Sequence, residues 1–163
     1  MIVKPIPNGY HSITPYLIIN KAAEAIAFYK RAFSAIELFR MDMPDGKVGH
    51  AEIQIGDSRI MMADDCGEES PFRNPQSSGS SAVGLHLYVN DVDAVFTQAV
   101  EAGAKVTKPL EDQFYGDRSG ALQDPFGHIW FVGTHKEDLS VDQIRQRAEA
   151  KFGKTEQQPE ELP

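Results

Sequence analysis

Residues Gln113 to Val132 read QFYGDRSGALQDPFGHIWFV, a segment with glycine turns, an X-Pro corner and a closing apolar run. Pro125 fixes φ at a corner that Phe126 and Gly127 complete, and glycine supplies the positive φ that such a turn needs. The spacing predicts a turn-strand-turn-strand hairpin, with 124–128 as the tight turn and 128–132 as the final strand. Such a hairpin needs a sheet to join.

Working outward, Leu85, Leu87 and Val89 alternate with Gly84, His86 and Tyr88, which predicts a strand over 83–89. Asn90 or Asp91 then caps a helix whose Val92, Val95, Phe96, Ala99 and Val100 form an apolar stripe, and Gly103 stops it. A further strand begins at 104–106, followed by a loop over 107–116. Nearer the N-terminus the same order occurs: a strand ending at Asn20 as N-cap, a helix over 21–33, and strands over 35–41, 48–55 and 59–63 joined by turns at Pro44-Asp45-Gly46 and Gly56-Asp57-Ser58. Laying Ile19 on Val89 aligns IINKAAEAI with YVNDVDAVF, so each half reads βαβββ and the chain is internally duplicated. The fold class expected is α+β. A single domain spans 11–136, with modules 11–63 and 83–136 joined by a mobile loop or linker over 64–82. Residues 1–10 form an irregular arm. The S-x-x-Q pattern at Ser140 starts a C-terminal helix within 137–153, and 154–163 form a disordered tail.

The 163 residues suit one core rather than two. A net charge of -8 and no basic cluster argue against nucleic acid as a partner, because phosphate binding rests on Lys and Arg. With no apolar run near membrane length and no signal-peptide pattern, the expected location is the cytoplasm, with no membrane partner. Cys66, the single cysteine, forms no internal disulfide, and its acidic setting DDCGEES disfavours a reactive thiolate. No nucleophile elbow, Walker loop or dinucleotide fingerprint is present.

The paired modules, TPYLIINKAAEAIAFYKRAF in one and LHLYVNDVDAVF with DPFGHIWFV in the other, resemble the vicinal oxygen chelate superfamily of glyoxalase, bleomycin and fosfomycin resistance proteins and extradiol dioxygenases. GHAEIQIGDSRIMMADD, EDQFYGDRSGALQDPFGHIW and THKEDLS are most similar to its PhnB-like branch, and the resemblance covers about residues 11–145. It implies sheets curled around a pocket and assembly as a homodimer. In catalytic members it also implies one divalent metal, held by four His or Glu side chains and open to substrate oxygens. The corresponding positions here are Thr14, Met61, Gly84 and Phe131, which lack that donor set.

In the first half His50, Glu52 and Gln54 alternate with Ala51, Ile53 and Ile55, so one sheet face is polar and would line the cavity. The expected ligand-binding residues are Tyr16, His50, Glu52, Gln54, His86, Tyr88 and Arg118. The leading expectation is a protein that binds a small organic ligand without a cofactor. The alternative is a metal-dependent lyase, isomerase or dioxygenase with His50, Glu52 and His86 as relocated ligands to zinc, iron or nickel. A third reading is a duplicated scaffold without a ligand. Asp117 and Arg118 form either a turn ion pair or an anion clamp. Asp124 accepts turn N–H groups, and Trp130 faces the core or a dimer contact. His11 and His135 fall in loops. Asp64, Asp65, Glu68 and Glu69 form a solvated run without calcium-loop spacing.

Overall fold

The computed structural model describes residues 3–153. The first module contains β1 (Tyr16–Ile19), α1 (Ala22–Phe33), β2 (Ile36–Asp42), β3 (Val48–Ile55) and β4 (Ser58–Asp64). A short helix, α2 (Pro75–Ser78), lies in the connection. The second module contains β5 (Gly84–Tyr88), α3 (Val92–Ala102), β6 (Lys105–Asp112), β7 (Asp117–Gln123) and β8 (Ile129–His135), and α4 (Val141–Phe152) follows. The strand orders are β1-β4-β3-β2 and β5-β8-β7-β6. In each sheet the first strand pairs in parallel with the last, and the other pairs are antiparallel. The duplicated α+β fold read in the sequence is therefore present, as two open sheets. No described helix is long and apolar enough to cross a membrane.

Both modules share one core. Ala51, Ile53 and Ile55 are buried beneath α1, which contributes Ile26, Phe28, Tyr29 and Phe33; α3 adds Phe96 and Ala99. The indole of Trp130 on β8 packs against Phe33 (centroids 4.6 Å apart) and Tyr29 (5.3 Å), both on α1. Trp130 is 2% exposed, so its place is the core. Gln98 of α3 donates from Nε2 to the carbonyls of Arg31 and Ala32, satisfying groups that the end of α1 leaves without helical partners.

The DPFG corner is the joint between modules. Asp124 Oδ2 accepts from the Tyr29 hydroxyl (2.6 Å) and the Trp130 indole N–H (3.0 Å), and Oδ1 accepts from the backbone N–H groups of Phe126 and His128 (both 2.9 Å). Gly127 takes φ 91°, a conformation that a side chain would strain. The final strand begins at Ile129 rather than His128, whose N–H is spent on the Asp124 carboxylate. The His128 ring reaches the Ile18 carbonyl of β1 at 3.1 Å.

Three local expectations are corrected. Asn20 does not cap α1: Lys21 occupies the cap in a left-handed conformation, and the Ala22 N–H is taken by Asp64 Oδ1 at 2.8 Å. Asp64 Oδ2 accepts from the Val48 N–H at 2.7 Å, so this carboxylate ties α1 to β3. Residues 107–112 belong to β6. Pro109 is tolerated there because β6 is an edge strand, leaving only a short turn before β7. Within 64–82, Asp65 is no solvated charge. It accepts from the N–H groups of Gly67 and Asn74, from the Asn74 side chain and from Arg73, while Asn74 caps α2. Asp91 caps α3, and Ser140 with Gln143 forms the capping box of α4. The expected tail, 154–163, lies outside the described residues.

Two outcomes follow. Asp124→Ala leaves buried donors on Tyr29 and Trp130 unmatched, each worth about 1–3 kcal/mol, so denaturant unfolding should show a loss of about 3 kcal/mol or more; Tyr29→Phe should lose about 1 kcal/mol. The amide hydrogen bonds from Asn74 and Gly67 hold the Asp65 carboxyl down to about 2. A depressed carboxyl stabilises above its ordinary range and loses that contribution as pH falls toward about 2. Hydrogen-exchange protection of the Gly67 and Asn74 amides should fall across that interval, and Asp65→Asn should abolish the acid dependence.

Candidate functional site

On the first sheet, the face away from α1 carries the polar stripe of β3. Tyr16 on β1 reaches His50 Nδ1 from its hydroxyl at 2.8 Å, and His50 Nε2 lies 3.2 Å from Glu52 Oε1. A carboxylate only accepts, so Nε2 carries the proton and Nδ1 accepts from Tyr16. Tyr10, from the N-terminal arm, donates to Glu52 Oε2, and the Arg59 guanidinium lies 4.7 Å from the Tyr10 ring centre. The Tyr10 hydroxyl is the main influence lowering the Glu52 pKa, with His50 and Arg59 adding to it against the effect of burial. Burial raises the Tyr16 pKa. Phe39 flanks His50 with ring centroids 6.2 Å apart. Beside this chain lies a cavity of about 530 Å³ bounded by Tyr16, Ile18, Ala63, Cys66 and Phe72.

The second sheet carries its own cluster on the equivalent face. His86 and Tyr88 of β5 have ring centroids 4.5 Å apart, and Phe131 stacks on His86 at 6.3 Å. The Tyr88 hydroxyl donates to Asp117 Oδ2 at 2.7 Å, and Asp117 Oδ1 lies 2.7 Å from His135 Nδ1. His135 Nε2 meets Asp138 at 2.8 Å. Asp117 is 4% exposed, which makes it a buried anion matched by a phenol and an imidazole.

Of the seven expected ligand-binding residues, Tyr16, His50 and Glu52 stand together on one sheet, and His86 with Tyr88 on the other. Gln54 turns to the Gly56 carbonyl at 3.0 Å, at the end of the hairpin. Arg118 alternates away from Asp117 and pairs with Asp93 of α3 at 2.8 and 2.9 Å and with Asp112 at 3.3 Å. Its role is a clamp between β7 and α3. The sequence reading leaves out Tyr10 and does not join Asp117 to His135. Tyr10 lies in an arm without periodicity, and Asp117 and His135 meet through the β7–β8 register, with β8 running on to His135. A strand extended past Val132 would have revealed that pair.

The four positions implied for a metal do not fit one. Thr14 and Met61 are poor donors, and Gly84 and Phe131 have none. A Cβ at Gly84 would strike the Phe131 ring, so one of these positions fills the space of another. The alternative trio is divided, with His50 and Glu52 on the first sheet and His86 on the second. Among the described residues no three His, Cys, Asp or Glu side chains converge as an ion site.

Hydrogen bonding to Asp117, then to Asp138, raises the His135 pKa. A raised histidine contributes stability below its ordinary range, and this is lost as pH rises through the raised value. NMR titration should place His135 above an ordinary histidine, and Asp117→Asn should return it toward the ordinary value.

Comparison with known proteins agrees with the fold. The sequence model of the Glyoxalase/Bleomycin resistance protein/Dioxygenase superfamily matches residues 9–132. A Mycobacterium bovis protein, Mb0911c, is 44% identical over 142 residues, covering 85% of this chain and 92% of its own. The crystal structure of TioX from Micromonospora sp. ML1 superposes with TM-score 0.59 at 25% identity, covering 80% of this chain and 100% of that one. A PhnB protein from Bacillus cereus shares the fold at TM-score 0.60 and 21% identity, covering 76% of this chain and 99% of its own. Duplicated βαβββ modules, open polar sheet faces and a match over most of the chain lead to one assignment: the protein belongs to the Glyoxalase/Bleomycin resistance protein/Dioxygenase superfamily.

Proposed function

We propose that this PhnB-like protein binds a small organic ligand on the open faces of its sheets, as a cytoplasmic homodimer and without a metal at the family positions. The observation that carries this reading is the Glu52–His50–Tyr16 chain beside a cavity of about 530 Å³ with largely apolar walls. Apolar walls with a few oriented polar groups are the usual composition of a small-molecule site. The Tyr16 hydroxyl oxygen, still free to accept, would fix a polar group of the ligand, with His50, Glu52 and Tyr10 holding that hydroxyl in position. His86 and Tyr88 would offer a second aromatic and polar surface.

Dimerisation is supported by what the open faces leave uncovered. Phe39 is 51% exposed and Tyr88 60%, with Met41 and Phe131 also in contact with solvent. A second copy that covers these faces would enclose the ligand and bury apolar surface together.

Two measurements test the proposal. In a thermal-shift screen of aromatic and thiol-conjugated compounds, a hit at 100 times its dissociation constant should stabilise the protein by about 2.7 kcal/mol, and Tyr16→Phe or His50→Ala should weaken it. No response across a broad library contradicts ligand binding and favours the scaffold. Elemental analysis of protein purified without chelator decides the metal question. Stoichiometric zinc, iron or nickel that disappears in Glu52→Ala or His86→Ala would replace the proposal with the metal-dependent lyase, isomerase or dioxygenase reading.

A further inference from the structure

A smaller cavity of about 190 Å³ lies at the seam between the modules, apart from the sheet-face cavity beside Tyr16. The N-terminal arm borders it at Gly9, Tyr10 and His11, and the first residues of β4 and the edge strand β5 complete it. Its floor is apolar, with Ile60, Leu85 and Leu87. Its polar groups are those of Arg59, His11, Thr14, Ser58, Tyr10 and His86, and no carboxylate of the described residues lines it.

Arg59 is the unusual member. Its Nε is buried and has no hydrogen-bond partner among the described residues. The guanidinium lies over the Tyr10 ring and also acts on the Tyr10 hydroxyl, and its buried Nε–H is the donor left for another group. Gly9 comes so close that a Cβ there would overlap the guanidinium, so the arm packs directly against it. Glu52 is near enough for Arg59 to help lower its pKa, yet its two oxygens already serve Tyr10 and His50. A half-buried guanidinium with no carboxylate partner among the described residues, above an apolar floor, offers its donors to a planar anion carrying a short hydrocarbon tail.

We propose that the seam cavity binds a small monocarboxylate, with its carboxylate on the Arg59 fork and its tail on Leu85, Leu87 and Ile60. The Thr14 and Ser58 hydroxyls supply further donors at the cavity. A single guanidinium above an apolar floor favours a monoanion with a tail over a compact dianion such as phosphate.

The test is calorimetric titration of the full chain with butyrate, butyramide and inorganic phosphate, with amide NMR shifts reporting the place of binding. Butyrate should bind saturably and shift the amides of Gly9, Leu85 and Leu87, while butyramide and phosphate should not. Arg59→Gln, which removes the charge, and Leu87→Trp, which fills the floor, should each weaken butyrate about tenfold or more. If Arg59→Gln fails to fold, Arg59→Lys keeps the charge without the fork and should still weaken butyrate. The proposal is overturned by an absence of saturable butyrate binding, by equal binding of butyramide or phosphate, or by unchanged affinity in the folded Arg59 variant.

Discussion

The structure depends first on the buried carboxylate of Asp124. Its two oxygens gather four donors from three sources: a phenol on α1, an indole on β8 and two amides of the turn between β7 and β8. A buried carboxylate is costly unless such donors surround it, and donors of this kind are costly without it. The constraint is mutual, and it joins the helix of one module to the closing hairpin of the other. With Trp130 held in this way, the aromatic packing of Phe33, Tyr29 and Phe126 follows, and two half-size modules share one core.

That shared core also determines where function can reside. Each sheet spends its apolar face on the helices, so the opposite face is left for polar chemistry. In the first sheet the result is the Glu52–His50–Tyr16 chain, and in the second it is Tyr88–Asp117–His135. The two clusters are analogous in position but different in composition. Duplication has preserved the backbone while the polar residues have diverged. Of the positions that the family resemblance implies for a metal, Phe131 lies with its ring over Gly84.

Much of this was legible in the sequence because period and punctuation carry it. The alternation from His50 to Ile55 assigned inward and outward faces correctly, the stripe from Val92 to Val100 marked α3, and DPFG marked the corner. The failures came where a tertiary partner replaced a local signal. Asn20 is a good cap by type, but Asp64, 44 residues away in the chain, reaches the helix N-terminus instead. Asp65 looked like one more charge in an acidic loop, yet it organises that loop through amides that composition does not reveal. Arg118 was read beside Asp117, although successive residues of a strand face opposite ways, which sent it to Asp93. Tyr10 could not be placed at all, because an irregular arm has no period from which to infer its contacts.

Ligand binding on the first sheet requires its polar chain to be a set, oriented device rather than three solvated side chains. The ¹⁵N chemical shifts of the His50 ring, measured with the imidazole neutral, test this most directly. The account predicts the Nε2–H tautomer, with Nδ1 accepting from Tyr16, and a relaxation toward a mixture of tautomers in Tyr16→Phe. A mixture already present in the unmodified protein, or a tautomer unaffected by Tyr16→Phe, would contradict it.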